Sequence, residues 1–363
     1  MFKKHSLLVG LLAVVGILGN AGIASAEGFQ PALHGLVLFE LENDWNFDSD
    51  DEDSEINNTY LNVEPYIVLS LTDKLAIEST LVFEQVQDLD PGEDGFFDNE
   101  GLYVEQLMLS YTDEHFSVFA GKYGPTFGTA WDLTPGVYGV DFAEDYELAE
   151  KIGGGASCTF GNDATGEHTI TGNVFFADTT FLSDSTITRR GDLDESDGGI
   201  SNTEDLSSFS LTLDSENVFA VEGLNTHLGY RNQDEGDADV GLDNESGYVA
   251  GVNYTFPLSD RVEAMVLAEW AGIYDVDGAS DDTNYLTLGG SVTIDGHWNV
   301  AASYTARNTD VAGGGDVDDY LAQTSVGYQF DNGIAFDVGY SNREEASVET
   351  STVGALLSYT YEF

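Results

Sequence analysis

The sequence predicts an all-β fold: a transmembrane antiparallel β-barrel of 16 strands, with short turns at one end and long loops at the other. Three observations predict it. Hydrophobicity beyond residue 30 alternates with a period of two. The connections alternate between short and long. The carboxylates gather in the long connections and leave the strand faces largely uncharged.

The chain opens with a segment that reads as processing rather than fold. Lys3 and Lys4 precede an apolar run from Leu7 to Leu18, and Ala24-Ser25-Ala26 forms a small-residue cleavage site. This is a secretory signal peptide over 1–26, with the barrel over 27–363. An uncleaved transmembrane helix is the rival reading. Removal leaves 337 of the 363 residues, and the net charge of −55 becomes −57 because both lost charges are lysines. No later stretch holds 18 uninterrupted apolar residues, so no helical span is expected.

The strands follow in order. In Thr59 to Leu71, Leu61, Val63, Ile67, Leu69 and Leu71 alternate with Asn62, Glu64 and Ser70. Val262, Ala264, Val266, Ala268 and Trp270 alternate with Glu263 and Glu269. Trp298, Val300, Ala302 and Tyr304 share one face, as do Ile334, Phe336, Val338 and Tyr340. The last segment alternates Val353, Ala355, Leu357, Tyr359, Tyr361 and Phe363 with Thr352, Ser358, Thr360 and Glu362. One apolar and one polar face is the mark of an antiparallel strand.

Short turns are expected at 72–74, 112–114, 161–166, 257–260, 295–296 and 331–333, with a less regular one between Asp214 and Glu222. Long segments fall at 44–57, 87–101, 124–150, 178–205, 233–246, 275–283, 308–319 and 342–351. Those eight segments hold 44 of the 66 acidic residues. Bacterial outer-membrane barrels have short periplasmic turns, long external loops and an even strand number. A strand in hydrocarbon satisfies its backbone only by pairing on both sides, so the sheet must close. A soluble sandwich with solvated acidic loops gives no reason for such alternation. Tyr111, Tyr123, Tyr254, Phe256, Trp298, Tyr328, Phe330 and Tyr359 lie near strand ends, where interfacial aromatic girdles belong.

Composition excludes several functions. Eleven Lys and Arg against 66 acids exclude nucleic-acid binding through phosphates. A single cysteine, Cys158, excludes a disulfide framework; its parity with Phe160 turns it toward lipid. The histidines His34, His115, His168, His227 and His297 share no metal-ligand spacing. His227 is the one faint candidate for hydrolase chemistry, and no nucleophile motif accompanies it, so no enzyme activity and no catalytic residue are assigned. The run Asp48 to Glu55 and the pairs near Asp275 and Asp281 lack EF-hand spacing. No cofactor is assigned beyond loosely bound Ca²⁺ or Mg²⁺ at such acidic loops, and a metal site is left open.

The chain resembles the Gram-negative general diffusion porins. Its ending Ser358-Tyr359-Thr360-Tyr361-Glu362-Phe363, its strand number, and Phe119-Ala120-Gly121-Lys122-Tyr123-Gly124 followed by a long loop and Lys151-Ile152-Gly153-Gly154-Gly155-Ala156 carry the resemblance. The resemblance implies a homotrimer in outer-membrane lipid and lipopolysaccharide, each subunit a water-filled channel for passive diffusion of small hydrophilic solutes. It implies that Tyr359, Tyr361 and Phe363 are read by the barrel-assembly machinery, and that loop 124–150 folds inward as the constriction. Family constrictions set acidic loop residues against a basic wall ladder. Asp132, Asp141, Glu144, Asp145 and Glu147 supply the acidic half here. Lys151 occupies a wall-arginine position, with parity opposite to Ile152, Ala156 and Phe160, whereas the other basic positions fall near Tyr60-Asn62-Glu64 and Tyr103-Glu105. The tip Pro135-Gly136-Val137-Tyr138-Gly139 lacks the family's Glu after Pro. With Glu64 and Glu105 replacing bases, a cation-preferring pore is expected. The rivals are a substrate-specific channel and a plugged structural or adhesive barrel with cation-binding acidic loops.

Overall fold

The computed structural model describes residues 31–363 apart from 192, 237, 239 and 240, so the signal-peptide segment lies outside the described residues. The wall strands are β1 (Ala32–Ser49), β2 (Asn57–Ser70), β3 (Leu75–Gln85), β4 (Glu100–Thr112), β5 (Phe116–Tyr123), β6 (Lys151–Asn162), β7 (Gly166–Ala177) and β8 (Ser208–Glu216). They continue as β9 (Leu224–Gln233), β10 (Glu245–Ser259), β11 (Val262–Tyr274), β12 (Asp282–Ile294), β13 (Trp298–Asp310), β14 (Asp316–Gln329), β15 (Ile334–Glu345) and β16 (Val348–Glu362). The 16-strand antiparallel barrel expected from the sequence is therefore present and closed. Each strand pairs with its sequence neighbours, and β16 pairs with β1 from Glu362 opposite Leu36 to Thr350 opposite Ser49. Gly35 and Phe363 exchange both backbone hydrogen bonds, at 3.1 and 3.0 Å, so the seam is zipped to the last residue.

The pleat sorts the side chains. On β1, Phe39, Leu41 and Trp45 are exposed outward, while Leu36, Leu38, Glu40 and Glu42 are buried inward. On β13, Trp298, Val300 and Tyr304 point out and Ala301, Ser303 and Thr305 point in. An apolar outside over a polar inside suits a barrel solvated by hydrocarbon. At the short-turn end, Trp298, Tyr328, Phe330 and His297 stack in a cluster, and Tyr254 stacks on Phe256. Tyr123 departs from the expected girdle: it is buried, 3 % exposed, against Phe119.

Several long connections shrink because polar strands keep pairing beyond the apolar belt. The expected loop 342–351 is a two-residue turn, Ala346-Ser347, with φ of 51° and 68°. The segment 308–319 shortens to 311–315 because Asp310 still pairs with Asp316. Hydrated carboxylates do not stop a backbone ladder. In contrast, β5 is only eight residues long and pairs with β4 only over Leu107–Thr112. The upper edge of β4 is covered instead by Thr186 and Ile187 of loop 178–207, which pair with Leu102 and Gly101.

Candidate functional site: the narrowed lumen

The site is built by the segment that leaves β5 at Tyr123. Gly124-Pro125 ends the strand, because proline has no N–H to donate to a ladder. Residues 124–150 then run inside the barrel, with one α-helical turn, α1 (Ala130–Leu133), and one 3-10 turn at Glu144–Tyr146. The loop packs on the inner face of β7 and β10–β12. Phe127, Ala130, Tyr146 and Leu148 bury against Phe175, Val249, Leu267, Ala271, Ile273 and Tyr285.

One carboxylate organises this foot. Glu269 of β11, 2 % exposed, accepts hydrogen bonds from the backbone N–H of Thr129 at 2.9 Å and of Ala130 at 3.0 Å. The Thr129 hydroxyl donates to it at 2.7 Å, and the Tyr146 hydroxyl does so from the returning leg at 2.7 Å. Beside it, the Gly128 N–H donates to His227 Nε2 at 3.0 Å, while His227 Nδ1 lies 2.6 Å from Asp214. Gly128 has φ of 78°, and a Cβ there would sit 2.7 Å from the Tyr146 ring. Buried Arg231 of β9 donates to the Tyr146 carbonyl at 2.7 Å and to Glu245 at 2.6 Å, and covers the Phe127 ring.

The tip reaches across the lumen. Tyr138 donates to Asp44 of β1 at 2.6 Å, and Tyr60 of β2 donates to the same carboxylate at 2.8 Å. Gln323 of β14 donates to the Pro135 carbonyl at 2.7 Å. Gly136, with φ of 108°, leaves room for the Gln323 amide. On the return, Arg307 of β13 pairs with Asp145 at 2.8 Å, Asp319 at 2.7 Å and Glu345 at 2.8 Å, and lies over Phe142.

The far side of the loop borders an open cavity of about 1330 Å³, walled by β1, β2, β15 and β16. Fifteen carboxylates and three basic residues, Lys151, Arg190 and Arg343, line it. Of the residues named from the sequence, Asp132, Asp141, Glu144 and Lys151 stand on this lining. Asp145 and Glu147 do not; Asp145 is turned to Arg307. Glu64 faces inward, 3 % exposed, and accepts from Asn62 at 2.7 Å, away from the lining. Glu105 also lies off the lining, close to Glu64, Glu84, Glu147 and Glu150. Glu40, Glu42 and Asp44, at the inward positions of β1, also line the cavity; they were not among the residues named from the sequence.

Arg190 of the long connection 178–207 pairs with Glu150 and lies 3.6 Å from the Tyr103 ring centre. Lys122, fully buried, pairs with Glu150 at 2.8 Å and Asp178 at 2.7 Å. Burial pushes the Glu150 carboxyl up, but Arg190 and Lys122 outweigh it and hold its pKa at about 2. This cluster fastens loop 178–207 over the gap left by short β5. Among the described residues, no group of three His, Cys, Asp or Glu is placed to hold a metal ion. In the Asp48 to Glu55 run, Asp51 accepts from the Asp53 N–H at 3.2 Å and the Ser54 hydroxyl at 3.3 Å, an ordinary turn. Cys158 is exposed on the outer face.

No family model matches the chain, and no curated protein matches it. Solved structures do. The outer membrane channel DcaP of Acinetobacter baumannii superposes with a TM-score of 0.55 at 15% identity, covering 94% of this chain and 100% of that one. OccK9 (OpdG) of Pseudomonas aeruginosa gives 0.56 at 10%, covering 93% and 100%. OmpT, an outer membrane protein of Vibrio cholerae, gives 0.52 at 14%, covering 94% and 100%. At these identities the likeness establishes the barrel fold.

Proposed function

We propose that this chain is an outer-membrane channel for passive diffusion of small hydrophilic solutes and ions, with a preference for cations. The observation that carries the reading is the lining: fifteen carboxylates against three basic residues around a cavity of about 1330 Å³. A carboxylate about 6 Å from a passing ion, at an effective dielectric of about 20, contributes roughly 3 kcal/mol before screening. Mobile ions remove much of that within about 8 Å at physiological ionic strength. A remainder of about 1 kcal/mol still changes ion occupancy about fivefold. No enzyme activity belongs to this reading. The test is the reversal potential of the purified protein in a planar bilayer under a KCl gradient. Cation selectivity that fades with rising salt is expected; equal or greater chloride permeability overturns it.

A second reading is a substrate-specific channel. OpdK of Pseudomonas aeruginosa, solved with vanillate, covers 91% of this chain at a TM-score of 0.54. The acidic lining here disfavours such an anion and favours a cationic solute. Saturable rather than ohmic conductance supports the specific channel. We further propose a homotrimer, supported by the trimer form in which OmpT of Vibrio cholerae was solved. Native mass in detergent decides it. Deleting Phe363, which closes the seam on Gly35, is expected to lower outer-membrane levels severalfold if Tyr359, Tyr361 and Phe363 serve as the assembly signal.

A further inference from the structure

Three successive backbone N–H groups, those of Gly128, Thr129 and Ala130, point at two side chains of the wall, His227 and Glu269. Protonation removes that capacity at His227 and reduces it at Glu269. A neutral imidazole accepts at one nitrogen only; a doubly protonated ring donates at both. With Nδ1 turned to Asp214, the nitrogen facing Gly128 is the one that must stay unprotonated. Glu269 takes the Thr129 N–H and hydroxyl, the Ala130 N–H and the Tyr146 hydroxyl, a donor set that only an ionised carboxylate satisfies in full.

We propose that His227 and Glu269 form an acid-released latch that holds the constriction loop against the β9–β11 wall. His227 and Glu269 are positioning residues: they act on the lumen through the foot of the loop. The charged and titratable groups facing the pair are Asp214 of β8, Arg231 of β9 with Glu245 of β10, Tyr285 of β12 and Tyr146 of the loop. Asp214 supplies the anion that a doubly protonated His227 ring needs, so the proton can arrive without leaving a buried cation unpaired. Once it arrives, Nε2–H and the Gly128 N–H are two donors facing each other. The foot loosens, and the loop moves toward the acidic cavity on its far side. Acid therefore shortens the open state. This inference rests on the channel reading for its functional consequence, though not for the latch itself.

Two measurements separate the latch from the channel. The first is single-channel recording of the full protein in a bilayer from about pH 7.5 to about pH 5, the range in which histidine changes charge. Open times of the unmodified protein are expected to fall severalfold toward acid. His227→Gln keeps a donor for Asp214 and an acceptor for Gly128 without titrating in this range, and is expected to keep the neutral-pH conductance and lose most of the acid response. Glu269→Gln is expected to show short openings already at neutral pH. The second measurement needs no conductance. Trp131 sits on the loop beside the latch and donates to the Phe127 carbonyl at 3.1 Å. With Trp45, Trp270 and Trp298 replaced by Phe, its emission in detergent is expected to shift red as pH falls, and to stay fixed in the His227→Gln background. A barrel that conducts nothing but shows the Trp131 shift keeps the latch and loses the channel. An acid response unchanged by His227→Gln, in either readout, overturns the latch.

Discussion

Loop 124–150 meets two walls, and they treat charge in opposite ways. On the β9–β12 side the loop is dry. Phe127, Ala130 and Tyr146 are at most 1 % exposed, and each charge there has a dedicated partner, Glu269 its ring of donors and Arg231 its Glu245, while the His227 ring is held by Asp214. On the β1–β2 side the loop faces an open cavity, and Glu40, Glu42 and Asp44 follow one another at alternate positions of one strand. A buried charge costs several kcal/mol unless paired and hydrogen-bonded, so the dry wall admits few and satisfies each. Glu40 and Glu42 are themselves mostly buried, but they border open space rather than a packed loop, so the wet wall can accumulate carboxylates. One loop is thus a core element on one side and a cavity wall on the other.

The largest effect is expected where the dry wall is broken. Arg231→Leu leaves Glu245 buried without its charged partner and removes a donor from the Tyr146 carbonyl. A loss of about 3–5 kcal/mol is expected, read as a lowered urea midpoint in detergent. The double variant Arg231→Leu/Glu245→Leu is expected to recover part of it. A single variant as stable as the parent breaks the comparison.

Next is the residue that joins the two walls. Arg307 pairs with Asp145, Asp319 and Glu345 at once and offsets one of their three charges. Arg307→Gln releases those carboxylates toward the lumen and is expected to raise cation preference, by up to about fivefold in ion occupancy for each ~1 kcal/mol gained. The reversal potential under a salt gradient measures it; a shift toward chloride contradicts the assignment.

The loop carboxylates come third, and the structure divides them. Asp132→Asn, Asp141→Asn and Glu144→Gln together are expected to reduce cation preference, because all three line the cavity. Asp145→Asn alone is expected to do little, since Arg307 already balances it. Equal effects from both sets place the selectivity elsewhere, in the outer loops.

The wet wall was readable in the sequence because alternation and turn spacing fix which residues face inward. Leu61 and Val63 outward imply Asn62 and Glu64 inward, and they are so placed. The dry wall was not readable in the same way. An inward Glu269 or His227 in an alternating strand looks the same whether water or a loop lies against it. A signal was nonetheless present in β11. Leu267, Ala271 and Ile273 are apolar inward, opposite outward Val266 and Trp270, so this strand is apolar on both faces. A strand of that kind is packed on both sides, and the one acid between them then needs donors from whatever covers it. The pairing of Arg190 with Glu150 was hidden for a related reason: the short ladder of β5 leaves a gap on β4, and only the three-dimensional register shows which loop fills it.

The smallest effect over ordinary pH is expected at that gap, and it sharpens the contrast with the latch. Glu150 has its pKa held at about 2, burial opposing and Arg190 and Lys122 prevailing. Asp178 is also lowered: burial opposes, and Lys122 with the Thr180 and Ser183 hydrogen bonds prevails. A carboxylate depressed in the fold contributes stability that is present above its unfolded value, about 4.3 for Glu, and lost as pH falls through the folded one. The strap formed by Thr186 and Ile187 should therefore stay closed through the acidification, from about pH 7.5 to about pH 5, that tests the latch. Exchange of the Thr188 amide, which donates to the Glu100 carbonyl at 3.2 Å, reports it. Once corrected for intrinsic rates, its protection is expected to be flat from about pH 7 to about pH 4 and to fall only toward pH 2. Lys122→Met is expected to move that fall upward, since Glu150 keeps only Arg190 and Asp178 keeps no cation among its described partners. Protection that collapses between about pH 7 and about pH 5, in step with histidine titration, means that one acid-sensitive unit holds both loops rather than two separate clamps.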